Sequence, residues 1–198
     1  MRLIITRHGE TEENREGILQ GHLPGKLSLE GIEQAKKVAL RLKDEKIDFI
    51  YSSDLTRSAD TAKEIAKFHP YASIEFLQDM RERDLGELQG RKKSEFGWDA
   101  KDFKVTFMQP KNGESMENLY KRAKNFLSKI ISRHKNDAVL LVGHNGINKA
   151  LIAVITNKTY KEIDEIENQK NTSINIFEID EKGNHKIHIS NDIKHLEI

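Results

Sequence analysis

The sequence contains no cysteine, and this absence excludes several kinds of chemistry and scaffold. Without thiols the chain has no disulfide framework, no thiolate nucleophile, no iron–sulfur cluster and no cysteine-ligated zinc site. Proline is also scarce, with three residues at positions 24, 70 and 110 that do not gather into a linker. We find no domain boundary and predict a single domain over residues 1–198, a length typical of one domain.

A large excess of one charge is missing as well. Lysine and arginine total 33 against 32 acidic residues, which gives a formal net charge of +1. A protein that holds nucleic acid through bulk charge needs a much larger positive excess, so we expect no nucleic-acid partner. The longest apolar runs are five or six residues, too short to cross a membrane. Strand-like residues begin at Leu3 and leave no room for a signal peptide, so we expect a cytoplasmic protein.

Strand-like and helix-like segments alternate along the chain. Asp54 or Thr56 is expected to cap the second helix, which carries Ala59 and Ala62 on one face. The segment 173–190 alternates apolar and polar residues around a turn, which predicts an antiparallel hairpin at a sheet edge. The other predicted strands are 3–6, 48–53, 73–77 and 138–142, and the other predicted helices are 28–43, 115–134 and 146–155. This order predicts an α/β protein, a three-layer α/β/α sandwich with a mostly parallel central sheet.

Polar residues stand at the carboxyl ends of three predicted strands, where open α/β sheets bind their ligands. They are Arg7-His8, the Ser52-Ser53-Asp54 stretch that leads to Arg57, and Gly143-His144. Two guanidiniums beside helix N-termini suit a phosphate dianion, because an arginine fork matches phosphate oxygens in pairs. A neutral imidazole among them can attack phosphorus and hold the group as phosphohistidine, while fixed donors stabilise the transition state.

A leaving alkoxide needs a proton, and Glu82 in Met80-Arg81-Glu82-Arg83 is the carboxylate that we expect to supply it. Glu10, Glu87 and Glu114 compete for this acid role. Because the arginines would do the work that Mg²⁺ does elsewhere, we expect neither a metal nor a cofactor.

The segment Arg7-His8-Gly9-Glu10-Thr11 resembles the signature of the histidine phosphatase superfamily, also called the phosphoglycerate mutase-like family. Four further blocks follow in the family's order, so the resemblance covers nearly the whole chain. The first block continues through Asn14, Gln20-Gly21, 27–31 and Gln34-Ala35; the others are 52–62, Arg81-Glu82 with Gly86 and Gln89-Gly90, 113–115, and 143–146.

The resemblance implies a role for each candidate residue. His8 would accept the phosphoryl group, and Glu82 would protonate the leaving group and then activate water. Many relatives have glycine where this chain has Asn145, whose side chain could narrow the pocket although its amide can still donate to phosphate. The phosphate would be gripped by Arg7, Arg57 and His144, and the substrate-binding residues would be Asn14, Gln20, Gly21 and Asn145.

Two activities and a binding role stay open within that family. Its mutases carry an aromatic block around a Gly-Trp pair after the first histidine and an arginine pair in the flap. Here 17–24 contains no tryptophan, and no arginine lies between Arg91 and Arg122. We therefore expect a metal-independent phosphomonoester hydrolase that acts on a small phosphorylated metabolite. The alternatives are a cofactor-dependent phosphoglycerate mutase and a non-catalytic protein that binds phosphorylated ligands.

Residues 86–113 are predicted to form an irregular flap over the site. Its aromatic residues and lysines could close over the substrate, or they could simply pack on the sheet and face solvent. These residues are Phe96, Trp98, Phe103, Phe107 and Met108, with Lys92, Lys93, Lys101 and Lys104.

Three expectations concern residues away from the carboxyl ends of the predicted strands. The stretch 159–171 is expected to be an exposed helix and loop. The edge hairpin could pair with a second copy of the chain, which leaves a homodimer open. The six remaining histidines lack metal-ligand spacing and are expected at the surface, at positions 22, 69, 134, 185, 188 and 195. Of these, His22 is the one to watch, because it follows Gln20-Gly21.

Overall fold

The structure is a computed structural model that describes residues 1–97, 104 and 108–197. The strands are β1 (Arg2–Arg7), β2 (Phe49–Ser53), β3 (Ser73–Leu77), β4 (Ala138–Gly143), β5 (Ile174–Ile179) and β6 (His185–Asp192). The helices are α1 (Glu12–Arg15), α2 (Leu29–Leu42), α3 (Thr56–Ala66), α4 (Met116–Arg133) and α5 (Asn145–Ile155). No helix in these residues combines the length and the apolar character that a membrane span requires.

The strands form a six-stranded sheet in the order β3-β2-β4-β1-β5-β6. The first four in this order run parallel, whereas β5 and β6 are antiparallel to their neighbours. The predicted mixed sheet with an antiparallel edge hairpin is therefore confirmed. The register pairs Arg7 with Gly143, so the residues that follow β1 and β4 start side by side at one rim.

Helices cover both faces of the sheet, which confirms the three-layer sandwich. Ile4, in β1, packs with the cluster formed by α2 and α3 on one face. Its neighbours Leu3 and Ile5 pack with α4 and α5 on the other face. A parallel strand that is covered on both sides needs apolar residues at successive positions, which explains the short continuous runs in β1 and β4.

Side chains that cap the helices account for two of the predicted helix starts. Ser28 Oγ accepts a hydrogen bond from Gly31 N at the start of α2, and Ser115 does the same for Asn118 N in α4. The cap predicted for α3 is wrong. Leu55 holds the N-cap position without a side-chain hydrogen bond. Asp54 instead accepts two hydrogen bonds from Arg81, at 2.7 and 2.6 Å, so a tertiary ion pair takes the carboxylate away from the helix end.

The expectation that all six remaining histidines lie at the surface is wrong for His69, His134 and His195, which are buried. His134 is only 1% exposed. Its Nε2 lies 2.8 Å from the Tyr51 hydroxyl, and its Nδ1 lies 2.9 Å from Asp137 Oδ2. Tyr51 is 83 positions away in the chain, and such a partner gives no local signal in the sequence.

The predicted flap is irregular where it is described. Short 3₁₀ turns occur at Gly86–Leu88 and Lys93–Phe96. The residues Trp98, Lys101, Phe103 and Phe107 lie outside the described residues.

Candidate active site

A cleft of about 570 Å³ lies at the carboxyl ends of β1 and β4, a size that suits a small metabolite. The structure brings all nine predicted site residues to this place. His144 lies behind the cleft surface, next to the His8 ring. The residues that line the cleft directly are Arg7, His8, Asn14, Gln20, Gly21, Arg57, Glu82 and Asn145.

His8 follows β1, and its backbone N donates to Gly143 O at 3.0 Å. The ring Nδ1 lies 2.6 Å from Gly9 O, and a carbonyl oxygen can only accept, so we assign the imidazole proton to Nδ1. This leaves Nε2 with a free lone pair. Burial lowers the pKa of His8 well below its ordinary value, and the positive charges of Arg7 and Arg57 lower it further. The imidazole is therefore neutral and suited to nucleophilic attack.

His144 is fully buried at the N-cap of α5, with its ring centroid 5.0 Å from that of His8 in an edge-on arrangement. Burial is also the main reason why the pKa of His144 is well below its ordinary value. Within the described residues, neither of its ring nitrogens has a hydrogen-bond partner. Because buried polar atoms normally have partners, this imidazole has unused capacity to bind a polar ligand.

Arg7 and Arg57 bring two guanidiniums to the same cleft. Arg57 lies in the first turn of α3 and donates to Gly21 O at 2.8 Å and to Leu23 O at 3.0 Å. Arg7 donates to Gln169 O at 2.7 Å. In the described part of the chain, the buried Nε atom of each arginine has no partner. Burial lowers the pKa of Arg57 to about 10, so it stays charged at neutral pH.

Glu82 is held at the N-terminus of α5, where backbone N–H groups are exposed to bind acceptors. Its Oε2 accepts from Gly146 N at 3.0 Å, and its Oε1 accepts from Ile147 N at 3.2 Å and from Arg83 N at 2.8 Å. Gly146 makes this approach possible, because a Cβ atom there would lie only 2.3 Å from Glu82 Oε1. A glycine that is 64 positions away thus fixes the carboxylate in the cleft that His8 also lines.

The carboxylates that compete with Glu82 for the acid role are engaged elsewhere. Glu10 accepts a hydrogen bond from Ser28 Oγ, and Glu114 is paired with Arg122 at 2.7 Å. Glu87 is exposed and pairs with Lys111. Only Glu82 among the four lines the cleft in the described residues.

The predicted substrate-binding residues are fixed by local contacts. Asn14 Oδ1 accepts from Thr11 N in a capping box, and Gln20 Nε2 donates to Thr11 Oγ1 at 2.8 Å. Gly21 has φ of +53°, a conformation that favours glycine. Asn145 Oδ1 accepts from Gln169 N at 2.8 Å, so this side chain ties α5 to the segment before β5.

Several residues of the cleft were missed by the sequence analysis. The stretch 159–171 is not simply exposed, because Gln169 is buried and three of its residues line the cleft. Helical spacing could have indicated Lys149, which lies one turn beyond Asn145 on α5. The stretch 160–171 carries no comparable local pattern. The missed residues include Arg83, Lys149, Ile163, Asp164 and Asn168, whereas Lys93 is one of the flap lysines that the sequence placed over the site.

Over residues 1–97, 104 and 108–197, no three histidine, aspartate or glutamate side chains lie together in a way that could hold a metal ion. Independence from metal stays a prediction about the reaction.

An α/β/α sandwich with two adjacent imidazoles, two guanidiniums and a carboxylate at one edge of the sheet defines the class of protein. The chain belongs to the histidine phosphatase superfamily, branch 1, whose family model matches residues 3–192. It is a phosphatase of that superfamily, as its relatives indicate. The resemblance inferred from the sequence blocks is therefore confirmed.

Three relatives place the chain more closely within the superfamily. It is 34% identical to phosphoglycerate mutase-like protein 4 of Arabidopsis thaliana, over 98% of this chain and 86% of that protein. It is 35% identical to a metal-independent phosphoserine phosphatase of the same plant, over 78% of this chain and 68% of that protein. A phosphoserine phosphatase of Entamoeba histolytica, solved with 3-phosphoglyceric acid, matches with a TM-score of 0.81 and 28% identity over 98% of each chain.

Proposed function

We propose that the chain hydrolyses phosphomonoesters without a metal ion, through a phosphohistidine intermediate on His8. The observation that carries this proposal is the state of His8. Its imidazole is buried and neutral, its Nδ1 points to a carbonyl, and its Nε2 is left to attack. The same cleft holds the guanidiniums of Arg7 and Arg57 and the carboxylate of Glu82, which are the other groups that the reaction needs.

In the first step, His8 Nε2 attacks the phosphorus atom and the bond from phosphorus to the ester oxygen breaks. Glu82, in its protonated form, gives its proton to the departing oxygen, so that an alcohol leaves. Arg7 and Arg57 balance the charge of the phosphoryl oxygens, and His144 donates a hydrogen bond to them. Asn14, Gln20, Gly21 and the backbone amide of Asn145 bind the rest of the ester.

In the second step, a water molecule takes the place of the alcohol. Glu82, now a carboxylate, accepts a proton from this water as its oxygen attacks the phosphohistidine. The bond between nitrogen and phosphorus breaks, inorganic phosphate leaves, and His8 regains its lone pair. Glu82 is protonated again, so the cycle closes without any additional reactant.

The substrates are small phosphorylated metabolites, with phosphoserine and 3-phosphoglycerate as the first candidates. The names of the plant and amoebal relatives support these candidates, since each is described as a phosphoserine phosphatase. A phosphoglycerate mutase would form the same phosphohistidine and is separated from a phosphatase by its products.

The test is the release of inorganic phosphate from a panel of esters in the presence of a chelator. His8→Ala should lower the rate by about 1000-fold or more, because removing the nucleophile removes the route itself. The matched control is His188→Ala, which changes an exposed histidine on β6 and should keep full activity. Nearly normal activity in His8→Ala would refute the mechanism. Interconversion of phosphoglycerates with little phosphate release would identify a mutase instead.

A further inference from the structure

Four charged side chains of the cleft have no part in the mechanism above, and one of them, Lys93, comes from the predicted flap. Arg83, Lys149 and Asp164 line the same cleft as His8, and we call them the Lys149 cluster. Burial lowers the pKa of both Lys149 and Arg83, and the carboxylates of Asp164 and Glu82 lie close enough to offset part of that shift. The cluster is therefore one group of interacting charges beside the acid, not three isolated surface residues.

Lys149 is the member with unused binding capacity. It is only 4% exposed, although lysine is rarely buried without a partner. Its Nζ donates to Asn168 Oδ1 at 3.3 Å, and this is its one hydrogen bond among the described residues. An ammonium group has three donors, so two of them can serve a ligand in the cleft. Burial lowers the pKa of Lys149. An anion bound beside the ammonium group would raise that pKa again.

The position of Lys149 is fixed relative to the reacting groups. Gly146 donates to Glu82, and Lys149 lies three residues further along α5, on the same side of the helix. Asn168 Oδ1 accepts from both Lys149 Nζ and Asn145 Nδ2, which ties the segment before β5 to this face of α5. The ammonium group is thus held close to the place where the ester oxygen leaves.

Arg83 adds a second fixed positive charge. It is 3% exposed, and it donates to Glu114 O at 2.7 Å and to Met108 O at 2.5 Å. These bonds fix the guanidinium beside Glu82, its neighbour in sequence. With Lys149 and Asp164, the cluster carries two positive charges and one negative charge.

We propose that the Lys149 cluster binds a carboxylate group of the substrate, so that the favoured esters are phosphorylated hydroxy acids or amino acids. This inference rests on the proposed function, because the phosphate must occupy the His8 end of the cleft. One excess positive charge matches a singly charged carboxylate. A second phosphate dianion would exceed the net positive charge of the cluster by one unit. Asp164 can accept a hydrogen bond from an ammonium or hydroxyl group next to the carboxylate.

Two substrate pairs test the inference, because each pair differs chiefly at the carboxylate. Phosphoethanolamine is phosphoserine without the carboxylate, and glycerol 3-phosphate carries a hydroxymethyl group where 3-phosphoglycerate has its carboxylate. The wild-type protein should prefer the acid in at least one pair by about 30-fold or more in kcat/KM. The pair that shows the larger preference tells whether Asp164 receives an ammonium or a hydroxyl group.

Lys149→Met should reduce this preference by about tenfold or more, whereas Lys149→Arg should restore most of it. Lys161→Met changes an exposed lysine in the 3₁₀ turn Tyr160–Glu165, which also contains Asp164. This variant is the control and should keep the wild-type preference. The preference is a ratio within one protein, so partial unfolding of a variant does not alter it.

Each outcome separates this inference from the proposed function. Hydrolysis of p-nitrophenyl phosphate that depends on His8, with no preference in either pair, would overturn the inference and leave the function standing. A strong preference that Lys149→Met does not change would also overturn it. If fructose 1,6-bisphosphate is the best substrate and Lys149→Met removes that advantage, the cluster is a second phosphate site and the inference is wrong. Activity that survives in His8→Ala would refute the proposed function itself.

Discussion

The two charged ends of the cleft differ in how they are encoded. Arg7, His8, Arg57 and His144 follow strand ends or open a helix, and each belongs to a short block of sequence. Arg83, Lys149 and Asp164 come from three distant stretches and have no common motif. Phosphate chemistry is the same for every ester, so its groups can sit in compact local patterns. The side chains that we propose to recognise the remainder of the substrate are brought together only by the fold.

We call the part of the cleft that contains Arg7, His8, Arg57, Glu82 and His144 the phosphate end. Substitutions there should lower the rate for every ester without altering the preference between esters. The largest such effect is expected at Glu82. Glu82→Gln should lower kcat for alkyl phosphates by about 100- to 10,000-fold, because the alkoxide then leaves without a proton. With p-nitrophenyl phosphate, whose leaving group needs no proton, a burst of p-nitrophenol should persist before slow turnover. Rapid-mixing kinetics provide the measurement. Glu87→Gln, an exposed carboxylate, is the control, and an equal loss in that variant would contradict the assignment.

A smaller effect should follow from moving Glu82 without removing it. In Gly146→Ala the new Cβ would lie 2.3 Å from Glu82 Oε1, so the carboxylate must shift. Misplacement of a catalytic group on this scale should lower kcat by about 10- to 100-fold. Steady-state kinetics on both substrate pairs, with a melting curve to check the fold, measure the effect. A normal kcat would show that the contact at the α5 N-terminus is unimportant. An altered preference between the two esters of a pair would show that the catalytic residues and the Lys149 cluster do not act separately.

The smallest expected effect is a dependence of the free energy of unfolding on pH. Burial holds the pKa values of His8 and His144 well below the value of about 6.5 that they have in the unfolded chain. The unfolded chain therefore takes up protons first as the pH falls. The stabilising contribution of the neutral rings is complete above the unfolded pKa and is lost as the pH falls through it toward the folded value.

Urea unfolding should show this loss between about pH 7.5 and about pH 5.5. Carboxylates whose pKa is lowered, such as Asp54, act only at lower pH, since the ordinary pKa of aspartate is about 4. His8→Asn should show a smaller decline than the wild type, and His188→Gln should match the wild type. A free energy of unfolding that rises toward pH 5.5 would contradict the burial of neutral histidines.

The contrast between local motifs and residues that the fold brings together also explains which features could be predicted from the sequence. The α/β class, the edge hairpin and the positions of the residues that we propose to bind phosphate follow from alternating patterns and short motifs. The cap of α3 could not be predicted, because Asp54 is used by Arg81, which is 27 residues away. His134 likewise depends on Tyr51 across the core. The stretch 160–171 is rich in charged and amide residues, and only its packing against α5 turns part of it into a wall of the cleft.

The most direct test of the account is to trap the phosphoryl group on His8. Glu82→Gln should accept phosphate from p-nitrophenyl phosphate and then lose it slowly, because the base that activates water is gone. Quenching in alkali, which preserves phosphohistidine, followed by peptide mapping should place about one phosphoryl group per chain on His8. The double variant His8→Ala, Glu82→Gln should carry none and show no burst. A burst that survives in the double variant, or a phosphoryl group on another residue, would contradict the central role of His8.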